Sequence, residues 1–193
     1  MKQVVVFCGS SAGIENIFYR EATELGATLA REGITIVYGG AKVGLMGAVA
    51  SGALQQGGTV VGVIPRFLQS KEIAHPGLSE LILVESMHER KNKMNELCDG
   101  VIALPGGYGT MDEFFEMLTW AQLGLHQKPV ALLNTAHFYD PLITMVHSMT
   151  EKGFLKPINR DMLLYSDKID ELLHKMRNYI PPVVEKWITK EKT

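Results

Sequence analysis

Cysteine is nearly absent: Cys8 and Cys98 are the only two in 193 residues. That excludes a small secreted scaffold framed by disulfides. Each adjoins an apolar run and neither has a histidine beside it. This favours small buried side chains in a reducing compartment over a disulfide or a reactive thiol. An excess of charge of one sign is missing too. Lysine and arginine number 19, aspartate and glutamate 21, for a formal net charge of −2. Such a balance offers no basic surface to nucleic acid or to an anionic membrane, so any polyanion site must be local. Long apolar runs are also lacking. Val4-Val5-Val6-Phe7 is far too short for a signal-peptide core or a membrane span, and no other stretch approaches the length needed. Internal repeats, low-complexity tracts and charge blocks do not occur. A cytoplasmic protein without nucleic-acid or membrane partners is expected.

What remains is an ordinary globular composition, 46% apolar and 21% charged. The length suits one well-covered core and is too little for two large ones, so one domain over residues 1–193 is expected. Short β-branched runs alternate with helical patterns. Strands are predicted over residues 4–8, 34–38, 59–64, 81–84, 101–104, 129–133 and 162–165. Helices are predicted over residues 17–31, 45–56, 86–98 and 110–125, from the last-but-one strand to about Lys152, and over 167–178. Gly33 is placed to close the first helix. The longest irregular stretch, residues 65–80, reads as a loop. This alternation predicts an α/β fold: a doubly wound, Rossmann-like parallel sheet with helices on both faces. Ligands of such sheets bind beyond the carboxyl ends of the strands, at the switch point. Gly9-Ser10-Ser11, Gly39-Gly40-Ala41 and Pro105-Gly106-Gly107 should gather there.

The segment Leu104-Pro105-Gly106-Gly107-Tyr108-Gly109-Thr110-Met111-Asp112-Glu113 joins a strand to a helix. Its three glycines let the backbone turn sharply and approach a ligand closely. A helix starting at about Thr110 presents unpaired N–H groups and a positive dipole end to an anion such as phosphate. Thr110 adds a hydroxyl. No Lys-Ser/Thr pair follows, so this is not a Walker loop, and it lies too late for a dinucleotide fingerprint. Glu113 lies one turn into the helix. An acidic first turn stabilises a helix, which is all that Asp112 and Glu116 need do. For Glu113, that role and catalysis both stand open.

The stretch from Ser86 to Met94 opens with a capping box, Ser86 as N-cap and Glu89 three residues later. Met87, Met94, Leu97 and Cys98 form the apolar stripe of this helix. Arg90 and Lys91 fall on the same side, and His88, Asn92 and Glu96 outside it. Inward cations are costly unless they meet an anion, a phosphorylated ligand or a carboxylate such as Glu113. Lys91 can also snorkel along the stripe edge. Arg90, flanked by Met87 and Met94, has less room to do so.

Met87-His88-Glu89-Arg90-Lys91 and Pro105-Gly106-Gly107-Tyr108-Gly109-Thr110-Met111-Asp112-Glu113 resemble the paired signatures of the LOG ("lonely guy") family, cytokinin riboside 5′-monophosphate phosphoribohydrolases. The resemblance spans about residues 4 to 155 and includes Tyr38-Gly39-Gly40 and Thr119-Trp120-Ala121-Gln122. It implies hydrolysis of a purine nucleoside 5′-monophosphate to free base and ribose 5-phosphate, without metal or cofactor. It places the catalytic pair at Arg90 and Glu113 and the phosphate loop at Gly106, Gly107, Tyr108, Gly109 and Thr110. Further substrate contacts map onto Lys91 and Thr119, and a loop glutamate onto Glu72. Met111-Asp112 stands where plant members commonly have Leu-Glu, which leaves Glu113 in register. A carboxylate can stabilise the positive charge that builds on the sugar as the C1′–N bond breaks, and an arginine can neutralise the phosphate or the leaving base. The lysine decarboxylase label often given to such proteins finds no support here, since no Schiff-base lysine or pyridine partner is marked.

The helix from Thr110 to Leu125 is apolar nearly all round, with Met117 and Trp120 outside its main core-facing stripe. It should be buried on two sides, within the monomer or at an interface. The resemblance implies a homodimer with active sites near the interface. Two rival functions share the fold. A molybdenum-cofactor carrier also resembles the fold and the Pro-Gly-Gly loop. A nicotinamide-dependent oxidoreductase is weakened by only two glycines in Gly9-Ser10-Ser11-Ala12-Gly13.

Overall fold

The computed structural model describes residues 1–68 and 74–183. Seven strands, β1 (Gln3–Phe7), β2 (Thr35–Tyr38), β3 (Val60–Pro65), β4 (Glu80–Val84), β5 (Gly100–Ala103), β6 (Val130–Leu133) and β7 (Leu163–Ser166), alternate with helices. The helices are α1 (Asn16–Arg31), α2 (Gly44–Gln55), α3 (Met87–Leu97), α4 (Tyr108–Gln122), α5 (Asp140–Glu151), the short α6 (Pro157–Arg160) and α7 (Ile169–Arg177). The strands form one sheet in the order β4-β3-β2-β1-β5-β6-β7. Every pairing is parallel. Each parallel crossover carries the chain over one face of the sheet, which produces the expected doubly wound α/β arrangement.

Side chains of β1 alternate between two cores, as strand geometry demands. Val4 and Val6 join the residues of α1, α2 and α7, while Val5 and Phe7 join those of α3, α4 and α5. The α1–α2 contact is the tighter of the two layers. A Cβ on Gly26 would lie 2.0 Å from the Val49 carbonyl oxygen, and one on Gly52 would lie 2.0 Å from that of Thr23. Gly33, at φ +69°, closes α1 as its position in the sequence predicts.

Most predicted and observed elements agree to within a residue or two; α4 ends at Gln122, three residues before its predicted end, α6 has no counterpart among the predictions, and three further differences are informative. Helix α4 begins at Tyr108 rather than Thr110, with Gly107 as its N-cap, so Glu113 sits in its second turn. Met117 belongs to the core-facing stripe with Thr110, Phe114 and Ala121, contrary to the helical-wheel expectation. Starting the helix two residues earlier leaves the wheel unchanged; the packing of α4 across β5 and β6 is what turns Met117 inward. Residues 66–68 form a 3-10 turn inside the predicted loop. Among the described residues, no helix is long and apolar enough to cross a membrane.

Candidate active site

The order of strands reverses between β1 and β5. Their carboxyl ends, with that of β2, open onto a cleft of about 380 Å³. Its walls include Cys8, Gly9 and Ser10 after β1, Gly39 after β2, Arg90 from α3, and Gly107 to Thr110 with Glu113 from α4. All three loops expected at the switch point therefore converge.

The loop from Pro105 to Gly109 divides its glycines between two tasks. A Cβ on Gly106 would fall 2.1 Å from Thr110 Oγ1 and 2.9 Å from the Gly9 nitrogen. Gly106 is thus needed for packing, where the Gly9 N–H donates to the Pro105 carbonyl at 3.0 Å. Gly107 and Gly109 face open space. The first N–H groups of α4 have no acceptor within the helix and point to its N-terminal end, where the dipole favours an anion. Tyr108, the first residue of α4, is almost wholly exposed at the rim.

Arg90 is buried, at 5% exposure, as its place on the inward stripe predicts. The fold of α3 explains its aim. Ser86 caps the helix, its hydroxyl accepting from the Glu89 N–H at 3.1 Å. The Glu89 carboxylate reaches back to the Glu85 N–H at 2.7 Å, one residue beyond the usual capping box. One turn on, Arg90 Nη2 donates to the Gly39 carbonyl at 3.2 Å. A Cβ on Gly39 would come within 2.1 Å of that nitrogen and 2.4 Å of the Met46 terminal methyl. Gly39 therefore leaves the guanidinium the space it occupies.

Glu113 lines the same cleft as Cys8. Burial, and then the charge of Glu113, push the Cys8 thiol well above its ordinary range. Cys8 is thus a protonated, half-buried thiol in the cleft wall, while Cys98 is fully buried; neither is in a disulfide. At the end of β5 the Tyr139 hydroxyl donates to the Leu104 carbonyl at 2.6 Å.

Two further sequence-predicted site residues, Lys91 and Thr119, stand elsewhere. Lys91 pairs with Asp112 at 2.7 Å and Glu116 at 3.1 Å, tying α3 to α4 outside the cleft wall. Burial lowers its affinity for a proton, but the two carboxylates outweigh this and hold the ammonium above its ordinary pKa. Thr119 is exposed, its hydroxyl donating to the Phe115 carbonyl at 2.7 Å. Glu72 lies outside the described residues. Cys8, Met46 and Leu68 complete the cleft without having been singled out as site residues. The local signal that points to Cys8 is its place directly after the apolar run Val4–Phe7, at the end of a strand. Among the described residues, no cluster of three or more histidine, cysteine or acidic side chains is placed to hold a metal.

Comparison with known proteins fits this geometry. A family model described as possible lysine decarboxylase matches residues 46–176. The chain is 47% identical to the cytokinin riboside 5′-monophosphate phosphoribohydrolase of Rhodococcoides fascians, over 92% of this chain and 90% of that one. It is 46% identical to a probable enzyme of the same name from Oryza sativa subsp. japonica, over 92% of this chain and 79% of that one. Among solved structures, the molybdenum cofactor binding protein of Rippkaea orientalis superposes with a TM-score of 0.68 at 22% identity, covering 92% of this chain and 96% of that one, which shows a shared fold. Matched along nearly its whole length at close to half identity, the chain belongs to the LOG family of cytokinin riboside 5′-monophosphate phosphoribohydrolases.

Proposed function

We propose that the protein hydrolyses the N-glycosidic bond of a purine nucleoside 5′-monophosphate, releasing free base and ribose 5-phosphate. The observation that carries this reading is a buried arginine and a carboxylate lining one cleft with an open helix N-terminus. The 5′-phosphate docks on the N–H groups of residues 107–110 and the Thr110 hydroxyl. Glu113 then faces the sugar, where it stabilises the developing positive charge and orients the attacking water. Arg90 neutralises the phosphate or the departing base. Water adds its hydroxyl to C1′ and its proton passes to the base, so no cofactor is required. Lys91 contributes by fixing α4 against α3, which its ion pairs with Asp112 and Glu116 support. Thr119 reaches a nucleotide only if a second protein copy brings one to it. Half-buried Met111, Phe115, Leu118 and Trp120 on α4 support a homodimer packed along that helix, and a monomer by light scattering would refute it.

Decarboxylation of lysine gains no support from this cleft, where the described lining includes no lysine to form a Schiff base. Likeness to the cofactor binding protein bears on the fold alone. The deciding test is release of free base from AMP and isopentenyladenosine monophosphate by purified protein, with Glu113→Gln and Arg90→Ala in parallel. Release by the wild type, lost in both variants, is expected. Tight nucleotide binding with no base released would instead favour a carrier.

A further inference from the structure

His75 has no place in the reaction described above, yet its contacts lead to Arg90. It sits in the segment returning from the 3-10 turn after β3 to β4. Its backbone N–H donates to the Gly40 carbonyl at 2.9 Å. The neighbouring Ala74 forms an antiparallel bridge with Ala41. Its ring lies against α2, with Nε2 3.1 Å from Ser51 Oγ. The Gly77 N–H donates to Nδ1 at 3.2 Å. An acceptor at Nδ1 puts the ring proton on Nε2, which then donates to Ser51. Gly40 follows Gly39, whose carbonyl takes the Arg90 guanidinium.

We propose that His75, in its neutral Nε2–H form, is a positioning residue and a latch: its ring pins this segment to α2 and to its own turn at Gly77, and so holds the His75 backbone N–H on the Gly40 carbonyl beside the Arg90 acceptor. The proposal rests on the phosphoribohydrolase reading for its effect on rate, though not for the latch itself. Three described groups face the ring: Ser51 from α2, the Gly77 N–H from its own segment, and Lys42 from the loop ahead of α2. Burial, and then the charge of Lys42, lower the pKa of His75 below the ordinary imidazole value. Protonation would put a second N–H at Nδ1, facing the Gly77 N–H, and loosen the turn that presents the His75 backbone N–H to Gly40. The neutral form is the working one, so turnover falls as pH drops through the titration of His75.

Asparagine at this position keeps an acceptor for the Gly77 N–H, as an Asx turn, but cannot titrate in this range. With AMP as substrate at about pH 7.5, His75→Asn is expected to turn over within about threefold of wild type and His75→Ala about tenfold more slowly, in keeping with the cost of slightly misplacing a catalytic group. The acid limb of the rate profile should move to lower pH in His75→Asn. A limb superimposable on that of wild type, or a fully active and folded His75→Ala, would overturn the proposal. NMR of the wild-type protein gives a reading independent of turnover. The Nε2–H tautomer, with the Gly77 and Gly40 amides shifting together as the ring titrates, supports the latch. An Nδ1–H tautomer, or ring titration without a response at Gly40, sinks it even if the protein proves to have another activity.

Discussion

The two helical layers over this sheet solve different problems. Helices α1 and α2 meet backbone to backbone, with Gly26 and Gly52 leaving no room for a methyl group. Helix α2 is buried along most of its length, from Leu45 to Ala53. Across the sheet, α3 buries only Arg90 and Met94 and is tied to α4 by Lys91 with its two carboxylates. One layer is held by close packing and the other partly by charge. The cleft opens toward the charged layer, where Arg90 and Glu113 are found. Packing tightly enough to exclude water gives stability, but the polar groups that chemistry needs require a looser layer whose charges are satisfied from its neighbours.

Substitutions can break this contrast. The largest expected effect is on the chemical side: Glu113→Gln should slow base release about a thousandfold, the scale of losing a positioned carboxylate, while the thermal midpoint stays put. Gly52→Ala should do the reverse. Its methyl would collide with the Thr23 carbonyl, costing about 2–3 kcal/mol and lowering the midpoint by roughly 5–10 °C, with turnover per folded molecule unchanged. A loss of activity without a loss of stability in that variant would show that the two layers are not separable.

Lys91→Ala sharpens the contrast from between the two. Its ammonium is mostly buried against partly exposed carboxylates, so its removal should cost about 1 kcal/mol. With its folded pKa raised, the ion pairs stabilise fully at neutral pH and are lost only as pH rises through the lysine range. A stability loss with KM unchanged marks a clamp, whereas a large rise in KM with stability unchanged marks a direct nucleotide contact. At neutral pH the smallest effect concerns His126, whose ring bonds to the Met117 carbonyl at 2.9 Å at the foot of α4. Burial, and then the charge of Lys128, lower its pKa to about 4. The unfolded chain binds the proton more readily, so stability should decline as pH falls from about 6.5 toward 4, and NMR titration of His126 checks this.

How much of this was legible beforehand depends on whether the signal is local. The aim of Arg90 could be read because a cation between Met87 and Met94 contradicts the period of its own helix. The switch point could be read because three glycine-bearing turns follow apolar strands. The early start of α4 was hidden, since Tyr108-Gly109 has poor helix propensity and is recruited by the geometry of the turn. Met117 was misplaced because the direction α4 faces is set by β5 and β6, not by its own sequence. Lys91 carried a cation's signature, but its partners, Asp112 and Glu116, lie on another helix. Cys8 and Met46 enter the cleft only once β1, β2 and β5 stand side by side.

The central position of β1 also orders assembly in time. Its hydrogen-bonding neighbours are β2, close behind it, and β5, which begins only at Gly100. A chain emerging from the ribosome can pair β1 through β4 early, while the opposite edge of β1 waits for its partner. Until Gly100–Ala103 arrives, that edge is an open template for wrong pairing. The cleft draws walls from both sides of this seam, so it forms only with its closure, and a product truncated before Gly100 would lack it and keep the open edge.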